Sequence, residues 1–147
     1  ISMPISINNE MMRQIIMDHY QNPIHKKTPK KGYVSIHSKS ENCIDDINVY
    51  LKLEKGKVKD CLWDGVACTI STASTDIMCE LVINKSEKEA RYIIDQYLKM
   101  IHEEKFDEEI LGEAIAFINT SKQAARIKCA TIGFNALKDI LNHKHEK

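Results

Sequence analysis

The stretch "DINVYLKLEKGKVKDCLWDG", residues 46–65, decides the fold class. Ile47, Val49, Leu51 and Leu53 alternate with Asn48, Tyr50, Lys52 and Glu54, the period of two expected of a strand with one buried face. "EKGK" then supplies a glycine-containing turn. The chain returns with Val58, Asp60 and Leu62 on one face and Lys59, Cys61 and Trp63 on the other, which predicts an antiparallel hairpin ending at Gly65. Upstream, "IHKKTPKKG" is a polar, basic loop that leads into a further extended piece, "YVSIHS".

Helical periodicity surrounds these strands. Residues 8–21 predict a first helix with Asn8 or Asn9 as cap and Met12, Ile15, Ile16 and His19 at helical spacing, stopped by Asn22-Pro23. Residues 69–83 carry Ile70, Ala73, Ile77 and Leu81, a stripe suited to packing on a sheet, with Thr69 or Ser71 as cap. Ser86 and Glu89 form a capping box that opens a third helix along Ala90, Ile94, Tyr97 and Ile101. A short helix is expected over 113–118, and a last one along Ile127, Ala130, Phe134, Leu137 and Leu141. The expected architecture is α+β, a small antiparallel sheet of about three strands packed against several helices. No repeat or linker divides residues 1–147, so one domain is expected, with residues 1–2 an expression scar ahead of Met3 and residues 142–147 a frayed tail.

Lys plus Arg equals Asp plus Glu, and no basic stripe is interleaved with aromatics, which excludes the usual nucleic-acid signature. The apolar runs are far shorter than the roughly 20 residues of a bilayer span, and the N-terminal residues show neither the basic nor the apolar region of a signal peptide. A cytoplasmic chain is expected. Its cysteines, at 43, 61, 68, 79 and 129, are odd in number, which argues against a disulfide framework. Cys43 falls in a polar turn, Cys68 at the junction of hairpin and helix, and Cys129 on the last helix; Cys61 and Cys79 lie inside regular elements. A tetrahedral zinc set of Cys43, Asp45, Cys68 and Cys129 suits this pattern, while spacing alone favours each thiol as a small buried hydrophobe.

The sequence resembles the U-type iron-sulfur assembly family, which comprises the NifU N-terminal domain, IscU and SufU. "MMRQIIMDHYQNP" is similar to the family's opening helix, "NCIDDI" to its "T-C-G-D-x-I", "WDGVACTISTAS" to its "F-x-G-x-G-C-x-I-S-x-A-S" and "ARIKCATIGFNAL" to its last-helix motif. The 61 positions from Cys68 to Cys129 match the SufU branch, whose insertion would fall around 84–112 here, and Lys128 stands where IscU proteins place a histidine. Ile44 and Ala67 replace family glycines, a change that would strain the chain wherever such a glycine adopts positive φ.

The resemblance implies a SufE/NifU-like fold with Cys43, Asp45, Cys68 and Cys129 as zinc ligands, and Cys61 and Cys79 as packing residues. It implies a partner, a pyridoxal-phosphate cysteine desulfurase, one of whose histidines takes a place on zinc and frees Cys43 to accept persulfide sulfur. Arg126 and Lys128 would support docking and balance the charge of the site. A downstream cluster scaffold is a further expected partner. Two alternatives stay open: a scaffold assembling a transient [2Fe-2S] cluster on the same residues, and a zinc-stapled, non-catalytic interaction domain. His19 is expected to pack or hydrogen-bond, and His143 and His145 to bind metal only adventitiously.

Overall fold

The computed structural model describes residues 8–40 and 44–143. Three strands form one antiparallel sheet in the order β1 (Val34–Lys39), β2 (Asp46–Glu54), β3 (Lys57–Val66). Four α-helices pack with it: α1 (Asn9–Gln21), α2 (Thr69–Val82), α3 (Glu87–Ile101) and α4 (Ala124–His143). This is the α+β architecture that the alternation and helical stripes predict.

The core face of β2 is the predicted one: Ile47, Val49 and Leu51 are fully buried. On β3 the structure departs from simple alternation. Lys52 pairs with Asp60 but Leu53 with Val58, so Lys59 is an extra residue and a β-bulge shifts the phase. Val58, expected opposite Cys61 and Trp63, is buried as they are. The outer edge of β3 is not left open. Trp63 donates its N–H to His25 O at 3.1 Å and accepts from Lys27 N at 2.9 Å, which satisfies main-chain groups that would otherwise invite another strand.

Asn8 caps α1 by accepting from Met11 N, and Ser86 and Glu89 make the predicted capping box on α3. α2 differs from its reading as a helix with one buried stripe. Every residue from Ile70 to Cys79 is buried, because α1, α4 and the sheet enclose it, so a single-stripe description fails for the central helix. Its cap is neither Thr69 nor Ser71 but Cys68, whose sulfur accepts from Ser71 N.

Between α3 and α4 the chain makes three 3-10 turns, Glu108–Ile110, Gly112–Phe117 and Thr120–Lys122; the second occupies most of the short helix expected there. Tyr97 of α3 stacks on Phe134 of α4 and donates its hydroxyl to Ala130 O at 2.8 Å, joining the two helices deep in the core. α4 continues through Asn142 and His143, two residues expected in the frayed tail, and Arg91 Nη1 donates to Asn142 Oδ1 at 2.6 Å. Among the described residues no helix is long and apolar enough to cross a membrane.

Candidate metal centre

Three elements that are distant in sequence meet at one end of the sheet. Asp45 immediately precedes β2, Cys68 caps α2, and Cys129 sits in the second turn of α4. One ligand atom from each lies within 4.8 Å of the other two. Donors held about 2.0–2.3 Å from a common zinc ion are at most roughly 4.6 Å apart, so small side-chain rotations bring these three onto one ion. Two thiols and a carboxylate are also donors that zinc accepts. The residues therefore fit the metal that the family resemblance implies.

Local backbone geometry explains the meeting. Ile47 pairs with Gly65, and Asp46 with Val66. Gly65 has φ +119, and a Cβ there would lie 2.2 Å from Asp46 O, so glycine alone permits this close pairing. The chain then needs only Val66 and Ala67 to reach Cys68, whose N–H donates to Asp45 Oδ1 at 2.9 Å. Asp45 is 1 % exposed and its other oxygen accepts from the Ser71 hydroxyl. Cys68, half-buried at the N-terminus of α2, receives the Ser71 N–H on its sulfur at 3.4 Å.

Cys43 lies outside the described residues. The β1–β2 connection that contains it leaves β1 at Ser40, whose N–H donates to Asp45 O at 2.9 Å. Ile44 is 61 % exposed and Val66 60 %, so an apolar rim borders the site. Ala67 carries no left-handed strain: among the described residues the non-glycines at positive φ are Lys55, Asn84 and Glu103.

Arg126 and Lys128 are both exposed and line different clefts. Arg126 faces a cleft of about 280 Å³ shared with Arg13, Thr69, Ile70 and Thr120, next to Cys68 in the chain. Lys128 lines one of about 270 Å³ with Ser38, Lys39, Ser40 and Asn135. Cys61 and Cys79 are fully buried and stand apart from the donor cluster. Burial pushes the Cys79 thiol well above its usual range, and its hydrogen bond with Cys61 adds to this.

His19 hydrogen-bonds rather than joining the cluster, as its position in the opening helix led us to expect. Its Nδ1 lies 2.9 Å from Asp76 Oδ2 and its Nε2 2.8 Å from Glu113 Oε1. The sequence reading missed Asp76. This fully buried carboxylate also accepts from Ile24 N, His25 N and Trp63 Nε1, tying α1, the following loop and β3 to α2. A signal was present: Asp76 is the one charge in "TISTASTDIMC", and a charge inside an otherwise uncharged, buried helix needs partners. In the sequence Ser71 reads only as a cap, yet it touches two of the clustered donors.

Comparison with known proteins gives a consistent picture. A family model described as "NifU-like N terminal domain" matches residues 11–130. The chain is 33% identical over 140 residues to the iron-sulfur cluster assembly scaffold protein IscU of Streptococcus pyogenes serotype M1, covering 95% of this chain and 87% of that one. It is 34% identical over 129 residues to the zinc-dependent sulfurtransferase SufU of Bacillus subtilis, covering 87% of each. Among solved structures, a putative iron-sulfur cluster assembly scaffold protein for the SUF system from Fervidobacterium islandicum superposes with a TM-score of 0.84 at 27% identity, over 87% of this chain and 94% of that one. The chain belongs to the NifU-like N-terminal domain family, and a SufU-type place within the IscU, SufU and NifU group fits it.

Proposed function

We propose that this protein serves iron-sulfur cluster assembly as a zinc-dependent acceptor of sulfane sulfur from a pyridoxal-phosphate cysteine desulfurase. Cys43, Asp45, Cys68 and Cys129 are the ligand set, and Cys43 takes the sulfur. The observation that carries this reading is the convergence of Asp45, Cys68 and Cys129 from three separate elements onto one point. A relative named as a zinc-dependent sulfurtransferase supports it.

Zinc, when bound, keeps thiols deprotonated at neutral pH. The chemistry left to the chain is thiol exchange. The Cys43 thiolate attacks the terminal sulfur of the desulfurase's cysteine persulfide, the partner's S–S bond breaks, and the partner's cysteine leaves as thiolate. Cys43 ends as the persulfide, with charge and sulfur conserved. The exposed apolar rim of Ile44 and Val66, and the cleft with Arg13 and Arg126, are the surfaces beside this chemistry on which a partner would rest.

A second reading, assembly of a [2Fe-2S] cluster on the same residues, is supported by the relatives named as scaffolds. Two measurements separate the readings. Metal analysis of untagged protein should find near one zinc per chain, and well below that in Asp45→Ala, whose weakened affinity strips the ion during purification. Mass spectrometry after reaction with a cysteine desulfurase and L-cysteine should place one extra sulfur on Cys43, and Cys43→Ala should stay folded while losing it. A folded wild-type chain without zinc, or an iron-loaded chain that takes no persulfide, overturns the sulfurtransferase reading.

A further inference from the structure

Ser71 is fully buried in the first turn of α2 and is bonded to two of the three clustered donors. Its hydroxyl donates to Asp45 Oδ2. Its N–H donates to Cys68 Sγ at 3.4 Å, and its Oγ lies 3.3 Å from that same sulfur. Ser74 carries the connection to the third donor: its hydroxyl lies 3.3 Å from Ser71 O and 3.5 Å from Cys129 O. With Asp45 only 1 % exposed, solvent does not set the carboxylate's orientation. Among the described residues the Cys68 N–H and the Ser71 hydroxyl, which both donate to it, do.

We propose that Ser71 is a positioning residue for the metal: it fixes the Asp45 and Cys68 donors as a preset edge of the site, so that ligand exchange is confined to the remaining thiols. The inference rests on reading Asp45, Cys68 and Cys129 as zinc ligands. A carboxylate free to rotate must be ordered when it meets the ion, whereas one held by a buried hydroxyl is already aimed, and partners of this kind change metal affinity by about 10- to 100-fold. A serine that only supported the helix would affect the fold without acting through Asp45.

The test is competition for zinc against a chromogenic chelator, starting from the metal-free full chain. Wild type, Asp45→Ala, Ser71→Ala and the double variant form a cycle. The expected result is affinity about 10- to 100-fold weaker in Ser71→Ala, with no further loss when Ser71→Ala is added to Asp45→Ala. Ser71→Thr, which keeps the hydroxyl, should retain affinity that Ser71→Val loses at nearly the same shape; this pair decides the matter if Ser71→Ala does not fold. Cobalt(II) spectra should report an altered ligand field in Ser71→Val but not in Ser71→Thr. Equal losses from Ser71→Ala in both backgrounds, or Ser71→Val matching Ser71→Thr, overturn the proposal. If wild type and Asp45→Ala bind zinc equally, the reading of the ligand set fails instead.

Discussion

Gly133 of α4 crosses Thr75 of α2 so closely that a Cβ on the glycine would stand 2.4 Å from Thr75 Oγ1 and 3.0 Å from its Cβ and Cγ2. The crossing lies one turn beyond Cys129 and about two turns beyond Cys68, on the two helices that deliver those donors. Thr75 is fully buried, and its hydroxyl has no hydrogen-bond partner among the described groups. A tight helix contact that leaves a polar atom unpaired means that the position of α4 is set by shape.

Gly133→Ala should therefore destabilise the protein even though alanine is the better helix former. Overpacking costs about 1–3 kcal/mol, and the propensity gain offsets about 1 kcal/mol of that. A net loss of up to about 2 kcal/mol is expected in urea unfolding, with weaker zinc binding because Cys129 moves relative to Cys68. Thr75→Ala removes two of the three crowding atoms, leaving the Cβ at 3.0 Å, and should recover part of the loss. Equal or greater stability in Gly133→Ala alone would show that the helices separate at little cost.

Gly65→Ala tests the other side of the site. The new Cβ would lie 2.2 Å from Asp46 O and 2.9 Å from Ile47 Cα, which are backbone atoms that cannot turn aside, and φ +119 is strained for alanine in any case. Strain and overpacking together should cost roughly 2–6 kcal/mol. Because Asp45 adjoins the displaced residues, zinc affinity should fall along with stability. A variant as stable as wild type would remove this glycine from the account of how Asp45 is placed.

These two glycines mark where sequence patterns stop being informative. Alternation and helical stripes report which side chains are buried, so β2, the α3 capping box and the buried face of α4 were legible. They do not report backbone proximity. The bulge at Lys59 is an inserted residue that keeps the composition of a strand while reversing its phase, and the enclosure of α2 depends on three neighbours that periodicity within one helix cannot reveal. Asp45, Cys68 and Cys129 became candidates through their spacing and family motifs. Asp76 and Ser71 did not, because their importance lies in contacts across 52 and 26 positions of chain.

The cysteines should divide by reactivity. Cys61 and Cys79 are fully buried, and burial, followed by their mutual hydrogen bond, keeps the Cys79 thiol protonated. After zinc is removed by a chelator, an alkylating reagent should label half-buried Cys68 well before Cys61 or Cys79, which should react only on unfolding. Peptide mass spectrometry over a time course reads the order directly. Labelling of Cys79 in the native protein as fast as Cys68 would contradict the assignment of Cys61 and Cys79 as packing residues.

His19 supplies a pH dependence whose sign can be stated in advance. Burial alone lowers its pKa, but the hydrogen bonds to Asp76 and Glu113 outweigh it and the net shift is upward from 6.5. The protonated ring, with a carboxylate at each nitrogen, is thus favoured in the folded state. Its contribution is complete below the unfolded value of about 6.5 and is lost as pH rises through the higher folded value. Glu113→Gln weakens one of the two pairs. Since Glu113 is 54% exposed, solvent limits the effect to about 0.2–1 kcal/mol. The stability gap between wild type and Glu113→Gln, measured by urea unfolding from about pH 6 to about pH 9, should accordingly be widest at the acid end and narrow as the pH rises. Groups that titrate identically in both proteins cancel in that difference. A gap that stays constant over this range, or widens towards pH 9, would show that His19 is not held as the imidazolium between Asp76 and Glu113.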